Sequence, residues 1–166
     1  MPTYHVWTVG CQMNKADSES LISGLEQMGL AACDDPELAD VVVMNTCVVR
    51  QSAEDTATGL LGKLGRVKQR YPERMLVVMG CMVGPRDTEL RRRFPHVDLW
   101  ARPQQFAPIF DQVGEALGID SDGCIGSLVP SAPNVSSYVP IIHGCDKFCS
   151  FCIIPYRRGR EISRPI

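Results

Sequence analysis

Six of the eight cysteines fall into two sets whose types and spacing suit metal chemistry. Cys145, Cys149 and Cys152 form C-x3-C-x2-C within the stretch GCDKFCSFC. A loop this short brings three thiols close enough to wrap one iron–sulfur cluster. Three protein ligands on four irons leave one iron open, and an open metal position is what a catalytic site requires. Structural zinc takes four ligands, and only His143 or Cys124 is at hand for a fourth, so spacing and ligand count favour iron and sulfide. A disulfide among such close cysteines ranks third. Cys11, Cys47 and Cys81 are dispersed along the chain. Taken singly, each reads as a small buried apolar residue. Taken together they read as a shared site for a soft cation or an iron–sulfur cluster, and on spacing alone the two readings stand level. Cys33 and Cys124 join neither set.

What would gather the dispersed three is the order of the elements between them. Tyr4–Val9 is a strand-like run that ends at Gly10-Cys11. A helix follows, with Asn14 or Asp17 as its cap, Leu21, Leu25 and Met28 on one face, and Gly29 past its end. Asp40–Met44 is a continuous apolar run, as in a strand buried on both faces, and it leads into Cys47. Ala53, Ala57, Leu60, Leu64 and Val67 then mark a second helical face that stops near Tyr71-Pro72. Met75–Met79 is another buried strand, closing at Gly80-Cys81. Pro85 opens a short helix ended by Phe94-Pro95, Val97–Trp100 reads as one more strand, and Pro103 opens a helix carrying Phe106, Phe110, Val113 and Leu117.

This alternation predicts an α/β domain over residues 1–118, a doubly wound parallel sheet with helices on both faces. Cys11, Cys47 and Cys81 then share the C-terminal edge of the sheet, where open α/β folds place their ligands. Residues 119–137 read as a linker, and Val139–Ile142 as a new strand ending at His143-Gly144-Cys145.

Composition closes off several classes. With 45% hydrophobic residues and a net charge of −2, the 166-residue chain is not a disordered one. Its cysteines fall short of the roughly 8–10% that marks a disulfide scaffold. No apolar run approaches the roughly 18–20 residues that span a bilayer, and no signal-peptide pattern opens the chain, so the expectation is a cytoplasmic protein without a membrane partner. The mild acidity argues against nucleic-acid binding spread over the whole surface. Basic residues do gather locally: Lys147, Arg157, Arg158, Arg160 and Arg164 outnumber Asp146 and Glu161 beyond residue 137. The Arg157–Arg160 stretch is therefore a candidate for phosphate contact, whereas the basic residues of the helices need no ligand to explain them.

The run GCDKFCSFCIIPYRRGREISRP resembles the cluster loop of radical S-adenosylmethionine enzymes, and most closely that of the methylthiotransferases. GCQMNKADSE and NTCVVR resemble the branch of that family that acts on tRNA; the ribosomal-protein branch typically has Pro-Lys-Asn where this chain has Gln12-Met13-Asn14. The resemblance implies one [4Fe–4S] cluster on Cys11, Cys47 and Cys81 and a second, radical-generating [4Fe–4S] cluster on Cys145, Cys149 and Cys152. It implies S-adenosylmethionine at the open iron of the second, with Phe151 near its adenine, and an electron donor such as flavodoxin or ferredoxin. The reaction implied adds a methylthio group to carbon 2 of an isopentenylated adenosine beside the anticodon of tRNA. Residues 138–166 would be the first strand and cluster loop of an incomplete (β/α) radical barrel, and the rest of that barrel and a tRNA-gripping β-barrel would be missing. The expectation is then an N-terminal fragment that is inactive alone. An iron–sulfur electron-transfer module and a zinc-binding nucleic-acid adaptor are the alternatives from other classes, each disfavoured by triads of ligands.

Overall fold

The computed structural model describes residues 1–49, 51–85, 87–119 and 138–164. Along the chain the elements are β1 (Thr3–Thr8), α1 (Gln12–Gln27), β2 (Ala31–Ala32), β3 (Val41–Thr46), α2 (Gln51–Arg70), β4 (Met75–Gly80), α3 (Thr88–Arg93), β5 (Leu99–Ala101), α4 (Ala107–Leu117), β6 (Ile142–His143), α5 (Ile154–Arg158) and β7 (Ile162–Ser163). β1 to β5 form one sheet in the order β2-β1-β3-β4-β5, and every pair in it is parallel. That is the doubly wound order in which the direction of winding reverses between β1 and β3.

Both faces of the sheet are covered, which explains why β3 and β4 read as unbroken apolar runs. Alternate residues of each strand point to opposite faces. Val41, Val43, Val77 and Met79 pack beneath α1 and α4 with Leu21, Leu25, Ile109, Phe110 and Val113. Val42, Met44, Leu76 and Val78 pack on the other side with Ala57, Leu61 and Leu64 of α2 and with Phe94, Val97 and Trp100.

Several boundaries differ from the sequence expectation. α1 starts earlier than its supposed caps: Cys11 is the extended residue before it, and Asn14 and Asp17 are buried in its first turns. On α2 the buried position is Leu61, with Leu60 only partly covered. α3 starts at Thr88 and α4 at Ala107, so Pro85 and Pro103 each lie in the approach to a helix, and Pro108 takes the first-turn position of α4. β2 gives no periodic signal because it is two residues long; it sits on the sheet edge through Ala31 N–H to Pro2 O and Cys33 N–H to Tyr4 O. The last expected strand is shifted to Ile142–His143, and its partner is β7, antiparallel. Residues 120–137 of the expected linker, with Cys124, lie outside the described residues. No helix among the described residues is long and apolar enough to cross a membrane.

Tyr4 anchors the start of β1 by donating its hydroxyl to Glu26 Oε1 at 3.0 Å. Burial first, then the Glu26 carboxylate, pushes the Tyr4 hydroxyl far above its ordinary pKa. Above pH about 10 the unfolded chain loses this proton and the folded chain keeps it, so stability falls as pH rises. Tyr4→Phe is expected to cost about 1 kcal/mol at neutral pH and to flatten the alkaline loss of stability, read from denaturant melts at pH 8 and 11.

Candidate metal centre

The parallel register sets three cysteines side by side. Thr8 pairs with Asn45 and Thr46 with Gly80, so Cys47 and Cys81 leave adjacent strand ends and Cys11 follows the end of β1. The gap between β1 and β3 is the point where the winding reverses, and ligands of such folds lie in the crevice there. Two glycines make the approach possible. Gly10 has φ +126°, and a Cβ on it would come within 2.7 Å of the Cys47 Cβ and 3.1 Å of its Sγ. Gly80 has φ +99°, and its Cβ would strike the Thr46 backbone. Side chains at either position would push the strand ends apart.

A buried polar network fixes the crevice. Asn14 Nδ2 donates to Val9 O at 2.8 Å and to Thr46 O at 3.0 Å, joining the ends of β1 and β3. Asn45 Nδ2 donates to Asn14 O and to Ser18 Oγ, and Thr46 Oγ1 donates to Met79 O on β4. The Cys81 N–H closes the set by donating to Thr46 O at 3.0 Å. The side chains of Asn14, Asp17 and Ser18 extend the same helical stripe as Leu21, Leu25 and Met28. α1 thus presents a polar face at the strand ends and an apolar one beneath the sheet.

Into this crevice comes an arginine from a distant segment. Arg158, at the end of α5, donates from Nη2 to Asn14 Oδ1 at 2.8 Å and to Asp17 Oδ2 at 2.9 Å. Its side chain is 5% exposed and that of Asp17 3%. Nη1 of Arg158 is buried without a hydrogen-bond partner among the described residues. Burial pushes the Asp17 carboxyl up, with Arg158 and then Gln104 pulling the other way. Burial also opposes the charge of Arg158, but Asp17 and Cys81 outweigh it and hold the guanidinium charged. The Cys81 thiol is pushed up chiefly by burial; Arg158 draws it down, and the charges of Cys47 and Cys11 add to the rise. Cys81 therefore feels both other cysteines of its set and the arginine together.

Among the described residues, no three His, Cys, Asp or Glu side chains close on a point as the ligands of a single ion would. A four-iron cluster is larger, because each thiolate takes a different iron. The chemistry of the crevice suits such a group: three cysteines to take its irons, and, for the net negative charge of the thiolate-bound unit, the N-terminus of α1 starting beside Cys11 and a buried N–H of Arg158 that lacks an acceptor.

The second set lies in one closed loop between β6 and α5. Cys145 N–H donates to Gly159 O at 3.2 Å and Cys152 N–H to Cys149 O at 3.0 Å. Cys149 is exposed, Cys145 and Cys152 are partly so, and Phe151 stands 91% exposed beside them. The loop meets the sheet edge through Arg158, through a Gln104–His143 contact, and through Arg157, which fills the space over Gly84. The phosphate role expected of the Arg157–Arg160 stretch does not suit Arg157 or Arg158, which turn inward; Arg160 pairs with Asp146 at 3.1 Å. Cys33 takes no part, its thiol facing Asp35 O at 3.4 Å. Sequence reasoning missed Asn14, Asp17, Ser18 and Asn45 as builders of the site. The signal was present in the stripe at 14, 17, 18, 21 and 25, where polar residues hold buried helical positions.

Residues 3–102 match the family described as uncharacterized protein family UPF0004. The chain is 42% identical over 164 residues to the tRNA-2-methylthio-N(6)-dimethylallyladenosine synthase of Chloroflexus aurantiacus, a match covering 98% of this chain and 35% of that protein. It is 40% identical over 166 residues to the synthase of the same name from Dehalococcoides mccartyi, covering 100% of this chain and 37% of that protein. The match to the one from Roseiflexus sp. is 41% over 164 residues, covering 98% and 34%. The chain thus spans about a third of the length of these curated relatives.

Gly80→Ala tests how the strand ends are held. Its positive φ and the Thr46 backbone leave no room for a methyl group, so the substitution is expected to cost more than about 1 kcal/mol in a urea melt. A melt unchanged from the parent would contradict the crevice geometry.

Proposed function

This chain belongs to the uncharacterized protein family UPF0004, and we propose that it forms the cluster-holding part of a tRNA methylthiotransferase, acting with the further chain length that its relatives possess. Cys11, Cys47 and Cys81 would hold one iron–sulfur cluster, and Cys145, Cys149 and Cys152 the other. The observation that carries this reading is the docking of the second cysteine loop onto the first: Arg158, six residues beyond Cys152, is buried against Asn14 and Asp17 and acts on Cys81. An electron-transfer module would prefer four cysteines for each cluster, and among the described residues the one cysteine outside the two sets, Cys33, faces Asp35 O instead.

Bound at these residues, the two clusters and S-adenosylmethionine would supply the radical and sulfur-transfer chemistry that an unactivated C–H bond of adenosine demands. The residues of the chain divide the remaining tasks. Buried Cys47 and Cys81 shield the inner side of the first site and exposed Cys11 leaves its outer side open, while the exposed Cys149 and Phe151 leave the second open to a ligand. Phe151 offers a flat aromatic face to the adenine of S-adenosylmethionine. A cleft of about 470 Å³ is lined by Val48 and Met82, which follow Cys47 and Cys81 in the chain, by Glu54, Glu89 and Arg93 of the covering helices, and by Ile153 and Arg157 of the second cysteine segment. The same reading assigns residues 1–118 to the first cluster and 138–166 to the second, in a cytoplasmic protein reduced by a small electron donor such as flavodoxin or ferredoxin. The substrate would be the isopentenylated adenosine beside the anticodon of tRNA.

Purified without oxygen, the chain is expected to contain iron and acid-labile sulfide; zinc alone would contradict the proposal. In the full-length protein, replacing Cys145, Cys149 and Cys152 with Ala should leave one cluster and abolish cleavage of S-adenosylmethionine. Survival of that cleavage would show that the two sets are assigned the wrong way round. tRNA from cells lacking the gene should lose the methylthio group and retain the isopentenyl group, as read by mass spectrometry of its nucleosides.

A further inference from the structure

A buried cation with an idle donor needs an acceptor. Arg158 has one end of its guanidinium occupied, Nη2 being shared between Asn14 Oδ1 and Asp17 Oδ2. The other nitrogen, Nη1, is buried with no partner among the described residues, on a side chain that is 5% exposed. Leaving a charged donor unpaired out of water is costly, and in native structures such a group marks strain, a redox or catalytic role, or a water or ion that completes the set. Asp17 balances the charge from the Nη2 side. The pair is thus a dipole, with the idle Nη1 as its positive end.

Asn14 Oδ1, which accepts from Nη2, also lies 3.8 Å from the Cys11 Sγ, and the guanidinium is close enough to the Cys81 thiol to act on it as a hydrogen-bond donor. A water could satisfy the nitrogen, but three thiolates bound to iron and sulfide would make a net anionic unit in the crevice and give Nη1 a sulfur acceptor. Resting on the cluster reading above, we propose that Arg158 is a positioning residue that donates Nη1–H to the sulfur-rich group held by Cys11, Cys47 and Cys81, pinning the second cysteine loop to the first site. The contact has a redox consequence. A hydrogen bond to sulfur and a nearby positive charge both favour the more negative, reduced state of an iron–sulfur group. The loop that carries the second cysteine set therefore also sets the potential of the first site, so undocking it would make the first site harder to reduce.

The test uses the full chain with Cys145, Cys149 and Cys152 replaced by Ala, loaded with iron and sulfide without oxygen, so that the first site alone reports. Iron per chain and the midpoint potential are measured in this parent and in its Arg158→Gln and Arg158→Lys derivatives. The expected result for Arg158→Gln is unchanged iron and an equilibrium for reduction about tenfold less favourable, equivalent to ~59 mV for one electron. Arg158→Lys keeps the charge but loses the fork, so a smaller shift of the same sign is expected. A glutamine derivative with full iron and the parent's potential overturns the inference. Should that derivative fail to fold or to load, the lysine one decides: a negative shift supports the inference and the parent's potential overturns it. A parent chain that takes up no iron and sulfide overturns the cluster reading itself, and the inference with it.

Discussion

The parallel pairing of β1, β3 and β4 is the constraint on which everything else rests. Strands that run the same way end at the same edge, and the covering helices return the chain to the opposite edge each time. Residues far apart in sequence thereby share one crevice. Cys11, Cys47 and Cys81 do so because each follows a strand end within three residues, and because Gly10 and Gly80 let those ends come closer than any side chain would allow. The winding reverses between β1 and β3, which opens the crevice where the first two of these cysteines stand.

A crevice lined by backbone ends is polar, and the structure meets this with short side chains that reach from one strand end to the next. Asn14 joins β1 to β3, Asn45 joins β3 to α1, and Thr46 joins β3 to β4. Asp17 is the one carboxylate in this set, and Arg158 answers it. Breaking such a buried pair by removing one partner costs about 3–5 kcal/mol when the remaining charge cannot escape. Arg158 reaches Asp17 only because the second cysteine loop is docked on the sheet edge. Docking of the second cysteine loop therefore supplies the cation that balances Asp17 beside the strand-end cysteines.

Much of this was legible from the residues alone. β3 and β4 announced themselves as unbroken apolar runs because helices cover both faces of the sheet, and the three cysteines were readable as strand-end residues for the same reason. The loop of Cys145, Cys149 and Cys152 was readable because its spacing is local. Two things were not. Asn14 and Asp17 looked like caps, since short polar side chains near a helix start usually are, and only the sheet edge above them reveals a buried role. The pairing of residue 17 with residue 158 leaves no periodic trace, because a contact across 141 positions is fixed by docking and not by local pattern. The same blindness made Arg158 look like a surface cation.

We propose that the three strand-end cysteines are one site for a multi-iron group. X-ray absorption at the iron edge, on anaerobically loaded chain that retains only Cys11, Cys47 and Cys81 of the six, reads this directly. The expected result is sulfur neighbours together with iron–iron scattering at short range. Isolated iron surrounded by light atoms, with no metal–metal scattering, would contradict it.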